Sequence, residues 1–342
     1  MEKLLGKTLN ELQQVALEAG LPRFAAKQLA DWIYKKRVTD IDQMTNISLS
    51  GRKALKEKYE IGLYSPSAEA ISNDGTKKYL FQVAPEKFIE SVYIPENDRA
   101  TLCVSTQIGC KMGCKFCMTG SLGFHGQLTA TDILNQIYSI PDSLNLTNIV
   151  FMGEGEPCDN IEQVLRSLEI LTAQWGCAWS PRRITVSSVG YLKGLVRLVQ
   201  ENECNIAISL HNPFSNERQE IMPIEKVYPI RDIISFLKQT DWSHQRRLSF
   251  EYICFGGIND SQRHVSGISN LLKGIPARVN LIRFHEGVNC ENMKMNASIE
   301  TNMIKMRDDL TQKGITTTIR KSRGEDILAA CGMLVNALKD NK

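Results

Sequence analysis

From about residue 101 onward, short apolar runs alternate with amphipathic stretches, and this alternation limits the fold more than any other feature of the chain. Strands are predicted at 101–105, 148–152, 183–187, 205–210, 248–255 and 277–284. Helices are predicted between them, at 129–140, 161–171, 191–199, 230–237 and 264–272. Such units bury a parallel sheet under an outer layer of helices, which places the chain in the α/β class. A closed barrel of eight units needs more chain than 101–342 provides, so a partial (β/α)6 barrel is expected over those residues. Chemistry in that architecture collects at the C-terminal ends of the strands.

Two smaller segments come first. Residues 1–64 read as a helical accessory domain: Leu9, Leu12, Val15 and Ala16 recur at helical spacing, and the pattern resumes after Gly20-Leu-Pro22 with Phe24-Ala-Ala-Lys-Gln-Leu-Ala-Asp-Trp-Ile-Tyr34. Residues 65–100 read as a short antiparallel strand annex, with a turn at Asn73-Asp-Gly75 and strands at 78–83 and 88–94. A hydrophobic content of 42% is enough for a large core. The N-terminus, Met1-Glu-Lys-Leu-Leu-Gly6, opens into a charged helical pattern with no signal peptide, so a cytoplasmic protein is expected. In that reducing compartment, ten cysteines imply metal binding, catalysis or packing and not a disulfide framework. No apolar run approaches the roughly 18 residues of a membrane span. A net charge of +3 does not by itself argue for nucleic acid, but Arg23, Lys27, Lys35, Lys36 and Arg37 cluster near one end, and Arg320, Lys321 and Arg323 near the other.

The predicted strand ends carry the chemistry. After the first comes Cys110-Lys-Met-Gly-Cys114-Lys-Phe-Cys117, three cysteines spaced Cys-x3-Cys-x2-Cys. A 4Fe-4S cluster is ordinarily held by four thiolates, so three leave one iron open to another ligand. A zinc site completed by Cys103 is the bland alternative, but structural zinc ligands usually come as two short-spaced pairs. Gly109, Gly113 and Gly120 suit a loop wrapped around something bulkier than one ion. Later strands end in Gly153-Glu-Gly-Glu-Pro157, Ser187-Ser-Val-Gly190 and Ser209-Leu-His211. Each has an ordinary reading as a turn, a cap or a core histidine. Together on one rim they describe a pocket for a polar small molecule, with Glu156 for an ammonium, Ser187 and Ser209 for hydroxyl or carboxylate groups, and open backbone at Gly155. Glu90 lies within the apolar run 88–94, where a carboxylate needs a partner or a task unless it alternates onto the solvent face.

The cysteine loop resembles that of the radical S-adenosylmethionine superfamily. Within it, the RlmN and Cfr family of RNA adenine methyltransferases is the closer likeness. That resemblance rests on Phe151-Met-Gly-Glu-Gly-Glu-Pro157, Ser209-Leu-His211, Met222-Pro223, Val279-Asn-Leu-Ile282 and Arg323-Gly-Glu-Asp-Ile-Leu-Ala-Ala-Cys-Gly332, and it runs from about residue 8 to 335. It implies one 4Fe-4S cluster on Cys110, Cys114 and Cys117, and two molecules of S-adenosylmethionine per turnover. Gly155, Glu156, Ser187, Ser209, Leu210, His211 and His285 would contact S-adenosylmethionine.

Carbon 2 of adenine is electron-poor and cannot take a methyl group by simple displacement, so the chemistry implied is radical, with the cofactors supplying it. By the resemblance, Cys331 carries the methyl group, Glu90 removes the adenine proton, and Cys103 attacks the sulfur of Cys331 to release the product through a transient disulfide. The implied substrates are an adenosine of 23S rRNA at the peptidyl transferase centre and the tRNA adenosine beside the anticodon. Both basic clusters would serve RNA. A flavodoxin-type one-electron reductant and a monomeric enzyme are implied too.

Two positions depart from the family pattern. Glu154 stands where methionine is frequent, and His285 where asparagine is usual, retaining one hydrogen-bonding function there. Two rival readings are a Cfr-type enzyme acting on carbon 8 and a non-catalytic iron-sulfur sensor that binds RNA. A sensor has no need of Glu90, Cys103 and Cys331. Cys158, Cys177, Cys204, Cys254 and Cys290 match nothing catalytic.

Overall fold

The computed structural model describes residues 1–242, 247–285 and 295–334. Near the N-terminus, Glu2–Lys3 (β1) pairs in parallel with Tyr59–Glu60 (β2) and clasps three helices: α1 (Leu9–Glu18), α2 (Ala25–Ala30) and α3 (Leu49–Lys58). Thr8 and Glu11 cap each other at the start of α1, satisfying backbone donors that have no partner in the helix. The predicted stripe of Leu12, Val15 and Ala16 is buried. Arg37 is not a free cation: its Nη1 donates to Ser143 O at 3.2 Å, and its guanidinium lies 4.7 Å from the centre of the Tyr138 ring. It ties the helical segment to the sheet layers, whereas Arg23, Lys27 and Lys35 stay exposed.

One ten-stranded sheet organises the rest. Its antiparallel part is β3 (Ala68–Ile71), β4 (Lys77–Ala84) and β5 (Lys87–Glu96), and it continues through an antiparallel pairing of β5 with β6 (Arg99–Cys103). After β6, the short strands β7 (Gln107–Gly109) and β8 (Phe124–Gln127) pair with each other and bracket the cysteine loop, with the single-turn helix α4 (Met118–Ser121) between them. Five further parallel strands follow the predicted positions: β9 (Asn148–Phe151), β10 (Ile184–Ser188), β11 (Asn205–Ser209), β12 (Leu248–Cys254) and β13 (Ala277–Arg283). The helices α5 (Ala130–Tyr138), α6 (Ile161–Thr172), α7 (Leu192–Glu201), α8 (Ser215–Ile221), α9 (Ile230–Gln239) and α10 (Gln262–Leu272) connect them. Ile206, Ala207 and Ile208 of β11 are all buried, as expected of a strand covered on both faces.

A seventh parallel strand, β14 (Thr316–Ile319), joins the edge next to β13 after α11 (Glu300–Gln312). The sequence hides it, because Thr316-Thr-Thr-Ile319 is a short edge strand with one buried residue and no apolar run. The short ladder of β7 and β8 was likewise not anticipated.

Packing brings α7 against the turn Pro157–Asn160, and Gly194 makes this possible, since a Cβ there would lie 1.8 Å from Cys158 O. Gly194→Ala should destabilise the protein by about 1–3 kcal/mol, as overpacking does. An unchanged urea midpoint would contradict the close approach.

Candidate functional site

Six parallel strands end around a cavity of about 870 Å³, part of it open to solvent. Cys110, Cys114 and Cys117 line it together, followed around the rim by Gly155, Glu156, Ser187, Ser209 and His211. The cysteine loop is held at its entrance by a bond from Cys110 N to Gly123 O, 2.8 Å. Burial pushes the Cys110 thiol up to about 12 and raises those of Cys114 and Cys117; Cys117 makes both Cys110 and Cys114 harder still to ionise. Three crowded thiols in an apolar wall that includes Met112 and Phe116 call for a cationic group to hold them as thiolates. Three thiols on one cavity wall are a donor set that fits an iron-sulfur cluster.

Glu156 is buried, and its carboxylate accepts bonds from Cys158 N at 3.0 Å and Val189 N at 2.9 Å. Desolvation outweighs these bonds and lifts it to about 7. His211 has a left-handed backbone (φ 52°), and its Nδ1 accepts from Ile253 N at 3.0 Å. Burial, reinforced by the Arg218 charge, depresses it to about 3, so the ring is neutral and its Nε2–H is a donor. Its ring and that of Phe116 pack in a T-shaped pair, 4.7 Å between centroids. Gly155 lines the cavity. Its missing side chain leaves room for Gln107, whose Cβ would be 2.5 Å from an added methyl group. Leu210 is fully buried and does not line the cavity; its carbonyl accepts from Arg218.

A second cavity, of about 1100 Å³, adjoins the first. Cys103 and His285 line it, along with Arg99, Arg320, Lys321 and Arg323. His285 is therefore not on the first cavity, and its Nε2 meets Ser322 Oγ at 2.6 Å. Met152, Ile282, Arg320, Cys331 and Gly332 belong to the walls of both cavities. Cys331 is held there by bonds from Met118 N to Gly332 O (2.8 Å) and from Thr119 Oγ1 to Leu334 O (2.9 Å). The C-terminal segment is thus pinned to the helix that follows Cys117. Cys331 faces open space, yet enough protein surrounds its thiol to raise it, while the Arg320 charge opposes the rise. Cys103 is pushed up to about 12, first by burial and then by Cys331 itself.

Glu90 does not face solvent. It is fully buried and ion-paired with Lys78 at 3.0 Å. It lines neither cavity, but it shares a strand face with Val92 and Ile94, which line the second. Lys78 also donates to Leu328 O at 3.3 Å, so the segment carrying Cys331 covers this pair. Glu154, one of the two departures noted above, is buried too: it accepts from Glu90 N at 2.8 Å and Gly109 N at 3.3 Å and is raised to about 8 by desolvation.

The sequence reading missed Glu251, which lines the first cavity and pairs with Arg320 at 3.6 Å. Its signal was available, since a carboxylate in the middle of the apolar run 248–254 is as conspicuous as Glu90. Cys158, Cys204 and Cys254 are buried, as packing residues should be. Cys290 lies outside the described residues.

Comparison with known proteins agrees with this geometry. Residues 104–266 match the radical SAM superfamily, and residues 2–61 match the ribosomal RNA large subunit methyltransferase N-terminal domain. A radical SAM methyltransferase from Sphaerobacter thermophilus superimposes with a TM-score of 0.90 at 34% identity, covering 98% of this chain and 99% of the other. The fold and site thus define a radical SAM methyltransferase. The chain is 57% identical over 335 residues to a probable dual-specificity RNA methyltransferase RlmN of Parabacteroides distasonis, covering 98% of this chain and 97% of that one. It is 37% identical to the dual-specificity RNA methyltransferase RlmN of Geobacter sulfurreducens, over 99% of this chain and 93% of that one. The chain belongs to the RlmN family of RNA methyltransferases.

Cys110→Ala, Cys114→Ala and Cys117→Ala should each lose most of the iron and sulfide taken up on anaerobic reconstitution, while Cys204→Ala keeps it. Iron retained by all three variants would contradict the assignment.

Proposed function

We propose that this enzyme methylates carbon 2 of an adenosine in 23S rRNA and of the tRNA adenosine beside the anticodon, with Cys331 carrying the methyl group. The observation that carries this reading is the position of Cys331 in the wall shared by the two cavities. A residue there can be loaded from one side and unloaded from the other. When bound on Cys110, Cys114 and Cys117, the cluster would supply the electron and the open iron that S-adenosylmethionine chemistry needs. Glu156 would take the ammonium of S-adenosylmethionine, Ser187 and Ser209 its hydroxyl or carboxylate groups, and the Nε2–H of His211 would donate a further bond.

On the other side, Arg99, Lys321 and Arg323 give the second cavity a positive rim suited to phosphates. Of these, Arg323 is already engaged with Pro95 O at 3.1 Å and Arg99 with Thr101 Oγ1 at 3.0 Å, so Lys321 is the freer contact. The target base must leave its stack to reach Cys331, at a cost of about a few kcal/mol that contacts to the surrounding RNA offset. Glu90 would accept the adenine proton once the segment over Lys78 shifts. Cys103, a neutral thiol as it stands, would give up its proton and attack the Cys331 sulfur; as the S–S bond forms, the bond from that sulfur to the base-linked methylene breaks, and the carbon, left with the electron pair, takes a proton to become the methyl group of the freed base. The Arg320 charge favours the thiolate at both cysteines. A flavodoxin-type donor, a monomeric state and a cytoplasmic location complete the proposal. Among the described residues, no helix is long and apolar enough to cross a membrane.

The test is mass spectrometry of nucleosides from unmodified ribosomal and transfer RNA after anaerobic incubation with reconstituted enzyme, reductant and S-adenosylmethionine. 2-Methyladenosine from both RNA fractions is expected; 8-methyladenosine would overturn the regiochemistry. Cys331→Ala should abolish transfer, and Cys103→Ala should leave RNA covalently attached to the protein. Because Glu156 titrates near 7, its anionic fraction falls about tenfold between pH 8 and pH 6. Affinity for S-adenosylmethionine should fall by a similar factor by equilibrium dialysis, and Glu156→Gln should remove the pH dependence.

A further inference from the structure

The largest fully buried side chain among the described residues is an arginine, and the mechanism above does not use it. Arg218 lies on α8, behind the first cavity, with no exposure to solvent. Its Nε donates to Leu210 O at 3.0 Å, and its Nη2 donates to both Val189 O and Ser209 O at 2.9 Å. Its Nη1 pairs with Glu225, which is itself buried and also accepts from Ile230 N at 3.0 Å. The three carbonyls belong to residues at or just beyond the ends of β10 and β11, where the ladder no longer supplies a donor.

Both Val189 and Ser209 line the cavity. Val189 is gripped from two sides, since its carbonyl accepts from Arg218 while its N–H donates to Glu156. One guanidinium therefore fixes two rim segments relative to each other and, through the single residue Val189, the carboxylate opposite them. Lysine at this position would retain the charge, but three rotating donors on a point charge cannot span four acceptors in a plane. A buried ion pair is poor evidence for stability on its own, so this arrangement calls for another purpose.

We infer that Arg218, held by Glu225, is a positioning residue that sets the spacing of Val189, Ser209 and Glu156 for binding S-adenosylmethionine. The inference rests on the proposed S-adenosylmethionine site. The experiment is equilibrium dialysis of radiolabelled S-adenosylmethionine against reconstituted, unreduced enzyme, so that no turnover occurs. Wild type is compared with Arg218→Lys, Glu225→Gln and Leu272→Ala. Leu272 is buried on α10 and lines neither cavity, and its truncation serves as a control for lost stability alone. Arg218→Lys should keep its iron content and raise Kd about tenfold or more, the usual cost of losing a partner that orients a binding group. Glu225→Gln should raise Kd less, and Leu272→Ala should lower the melting temperature with Kd unchanged.

Kd within twofold of wild type for both Arg218→Lys and Glu225→Gln would overturn the inference. So would a rise in Leu272→Ala equal to theirs at matched loss of melting temperature. If Arg218→Lys does not fold, Glu225→Gln against Leu272→Ala decides by the same criteria. Failure of the wild-type protein to bind would instead overturn the assignment of the site.

Discussion

Where parallel strands end side by side, their last carbonyls and amides lose the ladder that satisfied them, and in this protein buried charged side chains take over that role. Arg218 accommodates three carbonyls at the ends of β10 and β11, and Glu156 accepts from Val189 N just beyond β10 and from Cys158 N in the turn after β9; Glu154 does the same for amides away from those ends, Glu90 N in β5 and Gly109 N in β7. Leaving such groups bare and buried costs about 1–3 kcal/mol each, so the rim depends on these charges. The same carboxylates and guanidinium bring polar chemistry into an apolar wall. Stability of the rim and function of the site are therefore hard to separate at these positions, and conservative substitutions are the useful probes.

A second consequence concerns the C-terminal segment. It leaves the sheet edge after β14 and returns across the molecule to cover Lys78 and Glu90, anchored by Asp326 to Ser72 at 2.6 Å and by Gly324 N to Asp74 at 3.0 Å. This path sets Cys331 between the two cavities and opposite Cys103. Two left-handed residues, Gly324 (φ 65°) and Leu328 (φ 53°), turn the chain onto it. The non-glycine residue among them holds a conformation that costs energy, which the surrounding bonds must offset.

Much of this was legible in the sequence because the strongest signals were periodic. The strands of the barrel announced themselves as apolar runs such as Asn205–Ser209, and the cysteine spacing announced a cluster. What was not legible depended on partners distant in sequence. Arg218 reads as one charge on a polar helix until its carbonyl acceptors are seen, and Arg37 reads as part of a basic cluster until Tyr138 and Ser143 are found against it. His285 was matched by motif to a contact with S-adenosylmethionine, and the chain after β13 places it on the second cavity. Thr316–Ile319 was missed because an edge strand needs few apolar residues. Glu90 was ambiguous, since strand alternation permits either face, and only the pairing with Lys78 shows it to be buried.

The central claim is that Cys331 carries the methyl group between the cavities. The most direct measurement is peptide mass spectrometry of the enzyme after incubation with S-adenosylmethionine deuterated in its methyl group, before and after RNA is added. The account predicts the label on the peptide containing Cys331, lost when RNA is supplied and recovered on adenosine. Label reaching adenosine without ever residing on Cys331 would contradict it.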